Sequence, residues 1–566
     1  MSAKQKLKVV LCWHMHQPEY RDAQDEFQLP WTYLHAIKDY VDMVAHLEAQ
    51  PDARAVVNFA PILIEQIEDY AAQVAAWLKQ GTPIRDPLLS ALAGPVLPQK
   101  SEERMLIAEA CLKANQQQMI DPNPVFSDLV GTVRWMGRYS HAIDYVSDQF
   151  LTDLLVWYHL VWVGETVHRT DTRIKRLMEQ GTHFTIQDRR MLVELIGELL
   201  KNVLDRYKSL ARQGRIELSM TPYGHPIMPL LLDLHSAEEA WPDVLLPEDM
   251  QEYPRGRERV LWHLRHGREV FERVFGIRPT GCWPSEGGVS ARTLDLLGQA
   301  GFQWTASGQT VLTNSLKQTG TRLDDSKEWL YHPYRFGDDG IHCFFRDDNL
   351  SDAIGFKYSN WHGDDAAANF VHTLEEIANR QGGAQRVVSV ILDGENAWEY
   401  YPANGYYFLT RLYQLLAEHP QIEMTTFSEV IAKEAKPRPL SKMVAGSWVY
   451  GTFSTWIGDK DKNRGWEMLA EAKQVFDRVV DSGRLQDDAL EEARIQLGIC
   501  EGSDWCWWFG DYNPSTSVND FDRLYRLHLA NLYLLLQEKP PEYLAHAFSF
   551  GGGNPAAGGT MRRGQE

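Results

Sequence analysis

The chain has 566 residues, an apolar fraction of 44% and a formal net charge of −20. This length exceeds one ordinary core and predicts a large domain followed by a second one, while the negative charge argues against nucleic acid and anionic membranes as partners. No stretch approaches the roughly 18 apolar residues of a membrane span. The N-terminal residues pass almost directly into a strand pattern, so no signal peptide is expected.

The cysteines do not form a recognisable framework, because they are scattered and contain no CxxC pair. Reduced thiols and a cytoplasmic location are therefore the expectation. The chain also has 19 Trp and 23 Tyr residues. Sugars present flat C–H faces that pack on aromatic rings, so this excess fits a protein that binds glycans, although large proteins also bury Trp in their cores. The six cysteines are Cys12, Cys111, Cys282, Cys343, Cys500 and Cys506.

Short apolar segments alternate with longer helical patterns over residues 1–435. Helices are predicted at 188–213 and 258–275, each with one polar face. This alternation predicts an α/β fold with a parallel, closed sheet. The predicted strands are 7–12, 55–59, 216–220, 280–283, 304–307, 341–345 and 387–392.

Three further segments complete the predicted organisation. Residues 101–181 are helical and Trp-rich, as expected of an insertion into the barrel domain. After a short helix at 425–434, the proline-punctuated KPRPLSK from Lys436 predicts a boundary. Helices at 463–482, 486–497 and 521–537 then predict a helical C-terminal domain over 436–550. The Gly-rich residues 551–566 cannot bury a core and are predicted to be a disordered tail.

The first predicted strand leads into the motif WHMHQP, which contains His14, His16 and Gln17. Residues two apart on a strand share a face, so both histidines can point at one ligand. They could bind a metal such as zinc, or they could hydrogen-bond to sugar hydroxyls. For either histidine alone, a buried core position is the simpler interpretation.

A second block, GRIELSMTPYGHPIMPLL, contains Glu217 within a strand and His225 after a Pro/Gly turn. Loops that follow barrel strands carry the active sites of such folds. The block therefore offers two further candidate site residues. An exposed strand glutamate and a turn histidine explain the same pattern without any function.

Two carboxylate motifs carry most of the chemical information. GCWPSEGG places Glu286 among glycines, which allow a close approach of ligand or backbone, and Trp283 could form the floor of a sugar subsite. VVSVILDGENAWEYY crowds Asp393, Glu395 and Glu399 after an apolar strand. Like charges at that density raise a carboxyl pKa and suit proton donation. Cleavage of a glycosidic bond needs one carboxyl group on each side of the bond.

Two aromatic blocks lie beyond the predicted boundary. GSWVYGTFSTWIGDKDKN contains Trp448 and Trp456, and GSDWCWWFGDYN contains Trp505, Trp507 and Trp508. These rings either pack between the two domains or, at Trp448 and Trp505, reach the cleft as sugar platforms.

In their order along the chain, these motifs resemble those of glycoside hydrolase family 57. The matching segments are HMHQP at 14–18, GRIELSMTPYGHPIMPLL from 214, GCWPSEG from 281, DGENAWEYY from 393 and TTFSEV from 425. The resemblance spans nearly the whole chain. It implies an incomplete TIM-like (β/α)7 barrel, an α-helical C-terminal domain, retaining chemistry and α-glucan substrates.

The resemblance also implies residue roles, with Glu286 as the nucleophile, Asp393 as the general acid/base and no cofactor or catalytic metal. The DGENAWEYY form is most similar to the α-amylase and amylopullulanase group, so hydrolysis of α-1,4 and also α-1,6 glucosidic bonds is expected. Three alternatives stay open: a 4-α-glucanotransferase or branching enzyme, a metal-dependent glycan-modifying enzyme, and a catalytically silent glucan binder. The candidate substrate-binding residues are His14, His16, Gln17, Glu217, His225, Trp283, Glu395, Trp448 and Trp505.

Overall fold

The computed structural model describes residues 6–139, 141–250, 252–337, 340–380, 386–433, 436–553 and 560–562. Within these residues ten strands form one sheet. They are β1 (Leu7–Met15), β2 (Ala55–Phe59), β3 (Ile216–Met220), β4 (Gly281–Cys282), β5 (Trp304–Ser307), β6 (Tyr334–Phe336), β7 (His342–Phe345), β8 (Val387–Asp393), β9 (Ile422–Met424) and β10 (Arg438–Leu440).

Seven of these strands form a barrel. Parallel pairing runs in the order β8-β1-β2-β3-β4-β5-β7. A parallel bridge between Arg346 and Ser389 joins the end of β7 to β8 and closes the ring, and the Asp347 N–H donates to the Ser389 carbonyl at 2.8 Å. The predicted (β/α)7 barrel followed by helices is therefore confirmed. Outside the ring, β6 pairs antiparallel with β7, β10 pairs with β6, and β9 pairs with β1.

The central strands are apolar because helices cover the outside of the barrel and side chains fill its inside. All nine residues of β1 are buried, as are the first six of β8. The predicted strands agree with the structure to within one residue at each end, except that β1 continues three residues further, to Met15. His14 therefore lies inside the strand and not in the loop after it.

The helices lie around the barrel and beyond it. The longest, α10, begins at a capping box in which Thr185 and Asp188 satisfy each other's backbone N–H groups. The α-helices are α1 (Trp31–His35), α2 (Val41–Ala49), α3 (Pro61–Gln80), α4 (Pro87–Ala93), α5 (Ser101–Ala110), α6 (Pro124–Met136), α7 (Asp148–Val161), α8 (Glu165–Thr170), α9 (Thr172–Gln180), α10 (Ile186–Arg212), α11 (Met228–Leu232), α12 (Gly256–Phe275), α13 (Ala291–Gln299), α14 (Gln309–Gln318), α15 (Asp348–Asp352), α16 (Gly363–Asn379), α17 (Tyr406–Ala417), α18 (Phe427–Ala432), α19 (Lys460–Asp481), α20 (Asp487–Cys500), α21 (Asp504–Trp508) and α22 (Ser515–Leu535).

The segments outside the barrel are helical. Residues 101–181 contain α5–α9, and the chain after β10 contains α19–α22. The sheet continues past the predicted boundary at Lys436, because β10 (Arg438–Leu440) follows it. Of the predicted disordered tail, 551–553 and 560–562 are described, and the rest lies outside the described residues. None of the helices in the described part of the chain has the length and apolarity needed to cross a membrane.

Candidate active site

A row of polar residues lies at the carboxyl ends of four neighbouring barrel strands. The strand register places Asp393, His14, Asn58 and Ser219 side by side on β8, β1, β2 and β3. Residues at one level of a parallel sheet direct their side chains to the same face. The carboxyl ends of the strands also carry the active sites of barrel enzymes. The four side chains therefore form one surface at the functional end of the barrel.

Hydrogen bonds set the protonation of the histidines in this surface. His14 Nδ1 lies 2.7 Å from the Asn58 side-chain oxygen, and Asn58 Nδ2 donates to Ser219 Oγ at 3.0 Å. Since an amide oxygen only accepts, His14 Nδ1 carries the proton and His14 Nε2 is an acceptor. His14 Nε2 lies 3.2 Å from His225 Nε2, which therefore carries a proton and donates to it. The other nitrogen of His225, Nδ1, then accepts a hydrogen bond from Ser503 Oγ at 2.9 Å. Burial lowers the pKa of His14 to about 3 and that of His225 well below its usual range, so both rings are neutral.

His16 is paired with a residue from the helical segment. Its Nε2 lies 2.8 and 3.0 Å from the two carboxylate oxygens of Asp504 at the start of α21. Its ring stacks on that of His225, with centroids 3.7 Å apart and planes 15° from parallel. Sequence reasoning did not select Asp504, although it lies in the motif GSDW beside the chosen Trp505. The pairing brings the helical segment directly to the catalytic face of the barrel.

The same three residues are also candidate ligands for a metal ion. His16, His225 and Asp504 each offer a ligand atom, and these atoms lie within 4.8 Å of one another. Zinc needs nitrogen lone pairs that converge on one point, whereas those of the two stacked rings lie in nearly parallel planes that do not meet near the rings. Both nitrogens of His225 are also engaged in hydrogen bonds. As they stand, these residues form a hydrogen-bonding surface, and an ion would require the His225 ring to turn.

Glu286 is held in a strained turn that directs it into the cleft. Its φ is +57°, a left-handed conformation that costs a non-glycine residue on the order of 1–3 kcal/mol. Trp448 holds Glu286 through two hydrogen bonds. Its backbone N–H donates to the Glu286 carbonyl at 3.0 Å, and its indole N–H donates to Glu286 Oε2 at 2.8 Å. The next residue, Gly287, has a φ of +60°, and a Cβ there would lie 2.8 Å from the Trp283 ring. The turn therefore requires glycine at this position.

The two predicted catalytic carboxyl groups interact and have raised pKa values. Burial raises the pKa of Glu286 to about 8, and the charge of Asp393 adds to the shift. Burial also raises the pKa of Asp393 to about 6, against a hydrogen bond that it accepts from Asn396 Nδ2 at 3.0 Å. Between about pH 6 and pH 8 the pair therefore holds one proton. One acid and one ionised carboxylate are what glycosidic bond cleavage needs.

Glu395 lies behind this pair and is only 2% exposed. Its Oε1 accepts hydrogen bonds from the His16 backbone N–H at 3.3 Å and from Gln17 Nε2 at 3.4 Å. Its Oε2 has no partner among the described residues. Burial, with the charge of Asp393, raises its pKa well above the usual range, so Glu395 is a neutral carboxylic acid.

The catalytic groups line a cleft of about 380 Å³. Its walls include four tryptophans, and none of them was among the predicted substrate contacts. Six predicted site residues do line the cleft: His14, His16, Gln17, Glu286, Asp393 and Glu395. The four tryptophans are Trp31 and Trp162 on one side of the fold and Trp507 and Trp508 on α21.

Glu217 lies away from this cleft. The register pairs it with Val56 and not with Asn58, so it lies two residues below the polar row, roughly 7 Å towards the amino ends of the strands. Its carboxylate accepts hydrogen bonds from the Trp304 indole at 2.6 Å and from the Ser428 backbone N–H at 3.0 Å. The structure thus places Glu217 in a hydrogen-bonded network inside the barrel.

The aromatic candidates have different surroundings. Trp283 is fully buried and packs edge-on against Trp448 at 5.3 Å, so it supports the ring that binds Glu286. Trp505 is 2% exposed, and its indole donates to the Ile499 carbonyl at 3.0 Å. Its ring lies 5.2 Å from that of His528, within the helical segment. Neither Trp283 nor Trp505 borders the cleft.

A buried ionic network holds the helical segment against the barrel beside His225. The carboxylate of Glu501 accepts from Arg259 Nε at 2.9 Å and lies 2.8 Å from His263 Nε2. His263 Nδ1 accepts from the Gly224 backbone N–H at 3.2 Å. Burial alone would raise the pKa of Glu501, but Arg259 and His263 bring it down to about 2. The network fixes the loops that carry His225 and Asp504.

Comparison with known proteins identifies the family to which this sequence is similar. The model of glycosyl hydrolase family 57 matches residues 10–443. A curated relative, the "Putative alpha-amylase" of Methanocaldococcus jannaschii, is 23% identical over 291 residues, which are 50% of this chain and 53% of that protein. The match thus spans about half the length of that relative.

Two solved structures show the same fold. A family 57 branching enzyme from Thermococcus kodakaraensis aligns with a TM-score of 0.58 and 13% identity, covering 94% of this chain and 90% of its own. The alpha-amylase AmyC from Thermotoga maritima aligns with a TM-score of 0.56 and 14% identity, covering 94% and 93%. With the family model matching most of the sequence, the chain belongs to glycosyl hydrolase family 57.

Proposed function

We propose that this protein is a retaining glycoside hydrolase that cleaves α-1,4 glucosidic bonds, and also α-1,6 bonds, in glucans such as starch, glycogen or maltooligosaccharides. The observation that carries this proposal is the pair Glu286 and Asp393, two interacting carboxyl groups that share one proton in a Trp-lined cleft. The curated relative named as an alpha-amylase supports the choice of substrate.

In the proposed mechanism, Asp393 donates a proton to the glycosidic oxygen while Glu286 attacks C1 through an oxocarbenium-like transition state. Asp393 then removes a proton from water, which hydrolyses the glycosyl-enzyme. The Trp448 indole stabilises the ionised form of Glu286 and so makes it a better leaving group in this second step. Hydrogen bonds to charged groups of this kind contribute about 1.5–3 kcal/mol.

The pKa values of the two carboxyl groups place the shared proton on Glu286, whereas the mechanism needs it on Asp393. A bound substrate changes which of the two carboxyl groups carries the proton. A glycosidic oxygen beside Asp393 accepts a hydrogen bond only from a protonated acid, and positive charge that develops at C1 favours an ionised Glu286. We therefore infer that the proton moves from Glu286 to Asp393 when a glucan enters the cleft.

The neutral histidines fit the catalytic sugar. His14 and His225 are buried without charge and hydrogen-bond to each other, so they form the polar face of the site without opposing the positive charge of the transition state. A cation at this position would destabilise an oxocarbenium ion. The neutral acid Glu395 lies behind them and adds no negative charge to the pair.

The activity is expected to have a bell-shaped pH dependence. The productive pair holds one proton, so kcat/KM should fall as pH drops below about 6, where both carboxyl groups are protonated, and as pH rises above about 8, where both are ionised. The measurement is kcat/KM for maltoheptaose from pH 4 to pH 10. A profile that stays flat through either limb would contradict the shared proton.

Transfer is the second candidate on the same scaffold, either as a 4-α-glucanotransferase or as a branching enzyme. Tryptophans line the cleft from three separate segments, with Trp31 in α1, Trp162 after α7, and Trp507 and Trp508 in α21. Such walls can hold an acceptor sugar whose hydroxyl replaces water in the second step. The first step and its residues would be unchanged.

The chain lengths of the products separate the two candidates. Maltoheptaose is incubated with the enzyme, and the products are resolved by length and by linkage. Hydrolysis predicts shorter maltooligosaccharides only. Products longer than seven units would establish transfer, and new α-1,6 linkages would establish branching. Absence of any product would count against both.

We further propose a cytoplasmic location, without nucleic acid or membrane partners. All six cysteines are free thiols, as expected in a reducing compartment. The net charge of −20 repels polyanions and leaves neutral glucans unaffected.

A further inference from the structure

A short segment near the C-terminal end of the sequence reaches the catalytic cleft. Thr560 is one of the residues that line it, next to α21. Met561 is partly buried against the hydrophobic core. Composition alone predicted disorder here, yet residues 560–562 make specific contacts. They belong to none of the catalytic motifs.

Arg562 anchors this segment to both stretches that build the cleft beyond the barrel. Its Nη1 donates to Thr455 Oγ1 at 3.2 Å, in the same loop as Trp448, which binds Glu286. Its Nη2 donates to the Trp507 carbonyl at 3.3 Å on α21. The guanidinium therefore connects the loop behind Glu286 with the helix that supplies two cleft tryptophans.

The guanidinium also covers aromatic surface. It lies over the Trp507 ring at 4.5 Å from the centroid and over the Tyr512 ring at 5.2 Å. Trp507 lines the cleft, and the face of such a ring is where the C–H face of a glucose unit packs. Arg562 is close enough to the centre for its charge to lower the pKa of Glu286, against the larger effect of burial. The segment thus occupies one side of the cleft near the site of cleavage.

We propose that residues 560–562 close one end of the substrate cleft at Trp507 and so limit how many glucose units bind on that side, with Arg562 as the anchor. The proposal rests on the glucan-cleaving function proposed above. It makes these residues determinants of chain length that act outside the chemical step. The chemistry at Glu286 and Asp393 proceeds without them.

The test compares the wild type with Arg562→Ala, Arg562→Lys and a chain ended at residue 559. Products from maltoheptaose and from amylose are resolved by length, and kcat and KM are measured on maltotriose. The alanine and shortened variants should shift the product lengths by one glucose unit or more, while kcat on maltotriose, measured at each variant's own pH optimum, stays within about twofold of wild type. Arg562→Lys keeps the charge but loses the planar guanidinium, so its product lengths should lie between those of the wild type and those of Arg562→Ala.

Two results would overturn the proposal. Identical product distributions in all four proteins would show that the segment does not limit the cleft. An equal loss of turnover on maltotriose and maltoheptaose, with an unchanged Tm, would make it part of the reacting centre instead. The affinity of each protein for maltoheptaose is also measured by calorimetry. This measurement tests the role of the segment even if the protein does not cleave glucans. If the wild type cleaves no glucan, unchanged affinity across the variants rejects the segment's role, and tighter binding after its removal supports it.

Discussion

Replacement of Glu286 by glycine is expected to reduce the turnover of maltoheptaose by roughly 10⁴- to 10⁶-fold, because the nucleophile of the first step is lost. Glycine suits this position, since Glu286 has a φ of +57° that only glycine adopts without strain. The variant should therefore fold at least as stably as the wild type. The measurement is kcat on maltoheptaose, with Tm as the check on folding.

Azide gives this variant a sharper readout. The small anion can enter the space left by the Glu286 side chain and attack C1 from the same side, so turnover should recover and yield the β-glycosyl azide. Wild-type enzyme in the same azide concentration is the control and should form no such product. Recovery of an α-glycosyl azide, or full activity without azide, would contradict the nucleophile role of Glu286.

Replacement of Asp393 by asparagine is expected to lower kcat on maltoheptaose by roughly 10²- to 10⁴-fold, the usual contribution of a general acid. The loss should depend on the leaving group. A 2,4-dinitrophenyl maltoside leaves without protonation, so its first step should proceed at a rate close to that of wild type. The alkaline limb of the pH profile should also disappear, because the remaining carboxyl group, Glu286, acts in its ionised form and the pair no longer needs to keep a proton.

A matched variant isolates the acid from its surroundings. Asn396→Ala removes the hydrogen bond to Asp393 but keeps the acid, so its activity on maltoheptaose should fall far less than in Asp393→Asn. Since that hydrogen bond lowers the pKa of Asp393, the acid limb should move to higher pH. Equal losses on maltoheptaose and on the dinitrophenyl substrate in Asp393→Asn would contradict the acid role.

The barrel could be predicted from the sequence because apolar runs of strand length alternate with amphipathic helices. The register of the strands could not be predicted, and the register determines the site. Only the pairing of β1 with β2 and β8 shows that Asn58 orients His14 and that His14 lies level with Asp393. Nothing in the isolated motif AVVNF marks its asparagine as a site residue.

The contribution of the helical segment was only partly predictable. The block GSDWCWWFGDYN was recognised, but Trp505 was chosen as the residue that reaches the cleft. In α21 successive residues differ by about 100° around the axis, so Asp504 and Trp508, four apart, share a face. That face borders the cleft, whereas Trp505 points into the helical core. Periodicity alone could not show which face meets the barrel.

The pKa values of the catalytic carboxyl groups could be predicted only in part from the sequence. The crowding of Asp393, Glu395 and Glu399 predicted a raised pKa after β8, and burial raises the pKa of all three. The pKa of Glu286, raised to about 8, was not foreseen. Its causes are burial in a closed turn and the approach of Asp393 from a strand about a hundred residues away. Both are tertiary effects that no local pattern encodes.

In the proposed mechanism, Glu286 forms a covalent bond to the sugar during turnover. The most direct test is mass spectrometry of the enzyme after incubation with a 5-fluoro maltosyl fluoride. The ring fluorine slows both steps, while the fluoride leaving group still permits the first, so the glycosyl-enzyme accumulates. The mass of one fluoromaltosyl group is expected on the peptide that contains Glu286. A label on the peptide with Asp393, or turnover that leaves the enzyme unlabelled and releases the β-anomer first, would contradict it.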